Sequence, residues 1–132
     1  MAGRSPFPEF FVSHQIGDYL LQTDFQALNK SGGLGEDEES RRALVNHGVT
    51  YTAAFAPALL AVARRTSLAR AVGVAALITL PHMAIDDGRL LRAYMKRVKR
   101  VDGDTNPALT TSVDQSMHIV CLWIAGWFAR ER

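Results

Sequence analysis

Apolar residues along this chain fall into four segments, separated by stretches rich in polar and turn-forming residues. The segments span about residues 8–28, 41–63, 67–100 and 112–129. Strand-like alternation of apolar and polar residues is weak throughout, so the pattern predicts four helices. We therefore predict an all-α chain in which one helical domain, residues 1–132, forms a four-helix bundle that runs up and down.

Local signals suggest where these helices begin, bend and end. The first ends at the Gly-rich stretch NKSGG, and the turn-forming stretch VDGDTNP precedes the last. Ser40 is a candidate N-cap for the second helix, Pro57 is expected to kink it, and the third helix is expected to start near Ser67.

The distribution of charge favours membrane helices. Residues 43–63 contain no Asp, Glu, Lys or Arg, and a helix needs about 20 apolar residues to cross a bilayer. Residues 71–85 and 115–129 are also uncharged, whereas the first segment contains acidic residues. Trp123 and Trp127, close to the C-terminal RER, resemble an interfacial anchor. We predict a multi-pass membrane protein, and a soluble four-helix bundle is the alternative.

Composition limits the other classes. The net charge of +2 is too small to indicate a nucleic-acid-binding protein, and the single cysteine, Cys121, excludes an internal disulfide and a Cys-based zinc site. Residues 89–100, RLLRAYMKRVKR, hold six basic residues and no acid. We expect this segment to extend the third helix as an amphipathic surface against anionic lipid headgroups. Nucleic-acid binding and a plain solvated face are the alternatives.

Lys and Arg are more numerous in the loops between helices 1 and 2 and between helices 3 and 4 than on the other side. The positive-inside tendency therefore places these two loops in the cytoplasm.

Each apolar segment contains one histidine with a polar residue one helical turn away. The pairs are His14 with Asp18, His47 with Tyr51, His82 with Asp86, and Asp114 with His118. Residues four apart lie on the same face of a helix, and imidazole and carboxylate are ligands that suit zinc or another divalent metal. In an up-and-down bundle these residues lie towards the end with the 1–2 and 3–4 loops, so the pattern predicts one shared polar site.

The predicted roles divide into two groups. The candidate metal ligands are His14, Asp18, His47, His82, Asp86 and His118. Asp114 or Asp24 is expected to take up the proton of a metal-bound water. Gln22 or Gln115 is expected to orient the substrate. The alternatives are hydrogen-bonded core histidines, a capping box formed by Ser112 and Gln115, and a solvated helix end at Asp86 and Asp87.

Four stretches of the chain, in order, carry a resemblance to a known family. They are HQIGDYLLQTDFQALNKS, LVNHGVTYT, LPHMAIDD and VDQSMHIVCLW. Together they resemble the domain-of-unknown-function 3307 family, which comprises small polytopic membrane proteins of bacteria and their phages. The resemblance implies a membrane location and a helical architecture, and no established activity. The chain is also loosely similar to membrane-bound metal-dependent hydrolases, which place His and Asp on apolar helices.

Two functional hypotheses follow. The first is a hydrolase that binds a divalent ion such as zinc and acts on an amphiphilic substrate at the cytoplasmic leaflet. The second is a non-enzymatic membrane protein, such as an envelope modulator or a small transport component, in which the His/Asp pairs are structural or relay protons. A soluble basic bundle that binds nucleic acid is a third class. The oligomeric state is not predicted.

Overall fold

A computed structural model describes residues 4–130, and every regular element in this range is helical. The α-helices are α1 Phe7–Gln15, α2 Asp24–Asn29, α3 Glu38–Ala54, α4 Ala56–Arg65, α5 Leu68–Asp86, α6 Arg89–Tyr94 and α7 Pro107–Phe128. Ile16–Leu20 and Met95–Lys99 are π-helical turns, and Gly103–Thr105 is a 3-10 turn. The prediction of an all-α fold is confirmed, with seven α-helices in the described range where four were predicted.

The first predicted helix, 8–28, is divided before α2. A π-helical turn ends α1, and the chain begins a new helix at Asp24. Thr23 caps it: its hydroxyl accepts from the Gln26 backbone N–H, and the Gln26 side chain accepts from the Thr23 N–H. This capping box satisfies two backbone donors that a helix start leaves free. Asp24 therefore lies on a different helix from His14.

The second predicted helix, 41–63, is also two helices. Asp37 rather than Ser40 caps α3, because its carboxylate accepts from the Ser40 N–H at 2.7 Å. Phe55 separates α3 from α4, and Pro57 stands in the first turn of α4. Proline fits this position because first-turn N–H groups have no partner within the helix. Pro57 thus begins a helix instead of kinking one.

The third predicted helix, 67–100, begins as expected and ends early. The Ser67 hydroxyl caps α5 by accepting from the Arg70 N–H at 3.1 Å. Gly88 has φ +80°, a left-handed conformation that stops a helix and favours glycine. The basic segment therefore forms the separate helix α6 and the π-helical turn after it.

The fourth predicted helix, 112–129, begins at Pro107 instead. Asn106 caps α7 by accepting from the Leu109 N–H at 3.1 Å. Ser112 and Gln115 therefore lie inside the helix, and the capping box considered for them does not form.

The helices pack around α5, which contacts α3, α4, α6 and α7, while α1 lies against α3 and α7. The largest cluster of buried apolar residues lies on the side of the histidines away from the α2–α3 and α6–α7 loops. It includes Phe10, Phe55, Val62, Val74, Ile78 and Leu122. Burial of each such side chain contributes about 1.5–3 kcal/mol, so this half of the interior supplies most of the hydrophobic stabilisation.

The outer surface of the bundle is also apolar in large part. Exposed side chains on α5 and α7 include Val72, Leu80, Val120, Trp123, Trp127 and Phe128. Within residues 4–130, α5 alone has the length and apolar composition to cross a membrane. Core helices of soluble proteins can have the same two properties. The structure thus establishes a helical bundle and one candidate span, and it does not establish four spans.

Candidate metal centre

The four histidines converge in the bundle interior, each from a different helix. His14 comes from α1, His47 from α3, His82 from α5 and His118 from α7, and none is more than 2% exposed. Ring centroids are 5.0 Å apart for His47 and His82, 4.8 Å for His82 and His118, and 5.4 Å for His14 and His118. The imidazoles therefore form one enclosed cluster.

Two buried carboxylates, those of Asp18 and Asp86, face two of these rings. The Nε2 atom of His47 lies 3.1 Å from an oxygen of each carboxylate. The Nε2 atom of His82 lies 3.1 Å from Asp86 Oδ2 and 3.6 Å from Asp18 Oδ1. The two Nε2 atoms are 3.0 Å apart. All four ligand atoms lie within 4.8 Å of one another, so they surround a common point.

This arrangement fits the size of a divalent ion. Zinc binds imidazole nitrogen and carboxylate oxygen at about 2.0–2.2 Å, which places neighbouring ligands of a tetrahedral site about 3.3–3.6 Å apart. Most neighbouring separations among Asp18, His47, His82 and Asp86 are 3.0–3.6 Å. Imidazole and carboxylate together are also the donor set that borderline divalent metals prefer. These four residues could hold such an ion with a small adjustment of their side chains.

The position of Asp18 depends on an irregular part of the backbone. Asp18 lies in the π-helical turn Ile16–Leu20, where the Leu21 N–H donates to the Ile16 carbonyl at 2.9 Å. Such widened turns often occur at functional sites because they redirect side chains. Gly17 lies against Tyr51, and an added Cβ there would stand 2.7 Å from Tyr51 Cδ2. A small residue is thus needed where this turn meets α3.

His14 is held by protein groups on both ring nitrogens. The Gln115 amide nitrogen donates to Asp114 at 3.0 Å, which turns the amide oxygen towards His14 Nε2 at 3.1 Å. His14 Nε2 therefore donates, and Nδ1 accepts from the Tyr51 hydroxyl at 3.0 Å. Tyr51 also stacks on His82, with ring centroids 3.5 Å apart. His14 is therefore a member of the imidazole cluster whose two nitrogens are already engaged by Tyr51 and Gln115, and its Nδ1 also lies 3.5 Å from Asp18 Oδ2.

His118 presents a free nitrogen to the cluster. Its Nδ1 donates to the Asp114 backbone carbonyl at 2.9 Å, which leaves Nε2 as the acceptor in the neutral ring. Nε2 lies 3.6 Å from Asp86 Oδ1 and has no hydrogen-bond partner within the described part of the chain. Histidine ligands of metals commonly donate their other nitrogen to a carbonyl in this way. His118 could therefore add a further ligand beside Asp86.

The outer nitrogens of the two central rings differ from that pattern. The Nδ1 atoms of His47 and His82 are buried, and among residues 4–130 neither has a hydrogen-bond partner. They lie away from the point on which the Nε2 atoms converge.

Lys30 is a component of the site that the sequence pattern did not reveal. It follows α2, and its Nζ lies 2.8 Å from Asp86 Oδ2, with the Lys30 side chain 17% exposed. The ammonium group neutralises a carboxylate whose burial would otherwise be costly. A lysine beside a Gly-rich helix stop is typical of a solvated loop, so the sequence gives no signal for this contact.

The remaining predicted residues lie at different distances from the centre. Asp114 is half-buried beside His118, with its Oδ2 atom 3.6 Å from His118 Nδ1. Gln22 donates to the Asp18 backbone carbonyl at 3.5 Å, and its side chain lies outside the cluster. Asp24 is exposed in the first turn of α2, because the chain breaks at Thr23. Among the alternatives, a solvated helix end at Asp86 and Asp87 does not occur, since both residues are buried.

Comparison with known proteins adds one finding. A family model described as a protein of unknown function, DUF3307, matches residues 7–130. No match is found among curated proteins or among solved structures. The matched range includes every residue of the His/Asp cluster, and it covers nearly all of the chain. The chain therefore belongs to the DUF3307 family of proteins of unknown function.

Proposed function

We propose that this protein is a membrane-embedded metal-dependent hydrolase that acts on an amphiphilic substrate. The observation that carries the proposal is the convergence of His47 Nε2, His82 Nε2 and the Asp18 and Asp86 carboxylates on one buried point. A bound divalent ion such as zinc would lower the pKa of a coordinated water and so supply a nucleophile near neutral pH.

The residues around this point have distinct parts in the proposal. Asp114 lies at the edge of the cluster and is half-buried, so it can receive a proton and pass it to solvent. Gln115 is fixed between Asp114 and His14 and can orient the substrate or hold His14 in place. Asp24 and Gln22, the other candidates for these roles, lie outside the cluster and are set aside.

The distribution of side chains supports the membrane part of the proposal. The polar residues His14, His47, His82 and His118 are inside, whereas large apolar residues cover the outside of α5 and α7. Only 28% of the apolar window of α5 is buried, although a core helix of a soluble protein would be mostly buried. An apolar exterior around a polar interior is favourable in lipid, where buried polar groups satisfy one another. We propose that the bundle crosses the bilayer more than once, with the α2–α3 and α6–α7 loops in the cytoplasm.

A groove beside the cluster supports an amphiphilic substrate. It has a volume of about 760 Å³ and lies between the C-terminal end of α5, helix α6 and helix α7. Its walls include Pro81, Ile85, Tyr94, Val113, Met117 and Val120. Ile85 also lines a polar cavity that has Asp86 in its wall. The apolar groove and the cavity at Asp86 are therefore separated by Ile85, which lines both.

Metal analysis of the purified protein tests this proposal. Elemental analysis of detergent-purified wild-type protein should give about one divalent ion per chain, as one ligand set implies. The variants His47→Ala and His82→Ala should lose most of it. Thr79 lies about one turn before His82 in α5, and Thr79→Ser keeps the hydroxyl. This variant is the control and should retain the ion. Wild-type protein without bound metal would contradict the proposal.

Two observations favour a second candidate, a non-enzymatic membrane protein whose buried pairs are structural or relay protons. Lys30 already pairs with Asp86, and both nitrogens of His14 are bonded to protein groups. Thermal unfolding separates the two candidates. A structural cluster predicts that His82→Ala lowers the melting temperature equally with and without a chelator, whereas a metal centre predicts that the chelator destabilises only the wild type.

A further inference from the structure

A second cavity opens above the proposed metal centre and differs from the apolar groove in its chemistry. It has a volume of about 240 Å³, and Asp86 and Asp114 stand in its wall. Its rim contains Lys30 and Ser31 from the segment after α2, together with Gly88 and Arg92. A group in this cavity would touch the proposed metal centre and positively charged side chains at the same time.

The cationic side chains of the rim are held in place. Arg92 Nη1 donates to the Ser31 hydroxyl at 3.2 Å, and Lys30 bonds Asp86 at 2.8 Å. A Cβ added to Gly88 would lie 2.8 Å from Arg92 Nη1 and 3.1 Å from the Ser31 hydroxyl. Glycine at position 88 therefore satisfies the turn, where φ is +80°, and also leaves room for the guanidinium.

The positive charge continues beyond the rim. A neighbouring cavity of about 540 Å³ also has Arg92 in its wall, and Lys96 and Arg100 follow at intervals of four residues. Asp102 and Asp104 also line this neighbouring cavity, and Asp104 lines the smaller cavity as well. Asp102 is engaged in its own turn, where it accepts from the Asp104 N–H at 3.1 Å. The basic row leads towards the mouth of the metal centre, and an anion approaching along it would be attracted.

We infer that this mouth binds a phosphate group, and that the substrate of the proposed hydrolase is a phosphate ester. The inference rests on the proposed function. A phosphate has oxygens in several directions, so it can contact a metal ion, Lys30 and the Arg92–Ser31 pair together. Guanidinium matches phosphate through two parallel hydrogen bonds, and an ammonium adds a point charge. Together with the apolar groove, these contacts select a phosphate-bearing amphiphile.

The test measures phosphate binding directly and does not depend on activity. Inorganic phosphate is titrated into metal-loaded protein by calorimetry, for the wild type and for Arg92→Ala, Arg92→Lys and Arg64→Ala. We expect binding to weaken about tenfold or more in Arg92→Ala, because a charged hydrogen-bond partner is lost. Arg92→Lys keeps the charge, so its phosphate affinity should lie between those of the wild type and Arg92→Ala. Arg64 precedes Ser67 at the opposite end of α5 from Asp86, so Arg64→Ala should match the wild type within about twofold.

Two further ligands identify the source of the phosphate. Dihexanoylphosphatidic acid carries a phosphate and apolar chains, and dihexanoylglycerol carries the chains alone. Tighter binding of the phosphatidic acid than of inorganic phosphate indicates a lipid headgroup, and equal binding indicates a soluble ester. Unchanged phosphate affinity in Arg92→Ala would overturn the inference. So would dihexanoylglycerol binding as tightly as dihexanoylphosphatidic acid. Metal content measured on the same samples shows separately whether the proposed metal centre has failed.

Discussion

The Nε2 atoms of His47 and His82 lie 3.0 Å apart, and each also lies 3.1 Å from Asp86 Oδ2. Two imidazole nitrogens at this distance cannot both present lone pairs to each other without a proton or a cation between them. The lone pair of His118 Nε2 likewise faces a lone pair of the other Asp86 oxygen, at 3.6 Å. One positive ion at the point shared by Asp18, His47, His82 and Asp86 would satisfy the two Nε2 atoms of His47 and His82, and this is the physical basis of the proposed metal centre.

The carboxylates of Asp18 and Asp24 provide a matched pair. Asp18→Asn should reduce metal affinity by more than about tenfold, since losing even an outer-shell partner typically costs 10–100-fold. Asp24→Asn should leave affinity unchanged, because Asp24 is exposed in α2. Competition with a metal indicator measures both. Equal affinities for the two variants would count against Asp18 as a ligand.

Two glycines test the packing that positions Asp18. Gly17→Ala should destabilise the protein by about 1–3 kcal/mol, because the new methyl would stand 2.7 Å from the Tyr51 ring. It should also weaken metal binding, since the π-helical turn must shift. Gly73→Ala is the control: no atom lies within 4 Å of its added Cβ, so it should be neutral or stabilise α5 by up to about 1 kcal/mol. Denaturant unfolding measures both changes, and an unchanged stability in Gly17→Ala would refute the tight contact.

Asp87 gives a pH-dependent prediction outside the proposed membrane helices. The Arg89 guanidinium, which donates to the Asp87 carboxylate at 2.6 and 3.1 Å, lowers the pKa of that carboxyl, and the Leu34 N–H adds a bond at 2.8 Å. Because the folded-state pKa is lowered, the unfolded chain binds the proton more readily. The stabilisation is therefore present above the ordinary aspartate pKa of about 3.9 and is lost as pH falls through the folded-state value.

Unfolding measurements on the wild type and Asp87→Asn check this. The difference in unfolding free energy between them should be largest near neutral pH and should shrink below the ordinary aspartate range. Asp24→Asn serves as the exposed control. A difference that stays constant with pH would show that the Asp87 charge does not stabilise the join between the α2–α3 loop and α5.

The sequence predicted the meeting of the histidines better than the limits of the helices. One histidine in each apolar segment, with a polar partner one turn away, was enough to predict that His14, His47, His82 and His118 share one site. The expected position of Asp24 near the end of a single first helix was wrong, because Thr23 and Gln26 form a capping box that starts a new helix. The letters TDFQ contain that signal, but the apolar pattern continues through it.

Other features depended on contacts distant in sequence. Lys30 reaches Asp86 across 56 positions, and Tyr51 bonds His14 rather than its neighbour along the helix, His47. The π-helical turn at Ile16–Leu20 likewise depends on how Gly17 meets α3. Local patterns do not contain this information, because tertiary packing decides it.

X-ray absorption at the zinc edge of the zinc-loaded protein shows whether the His/Asp cluster holds a metal ion. We predict one zinc per chain, with imidazole nitrogen and carboxylate oxygen at about 2.0–2.2 Å and a reduced imidazole signal in His82→Ala. This prediction is contradicted if the purified protein binds no zinc, or if the zinc it binds has a ligand shell that His82→Ala leaves unchanged.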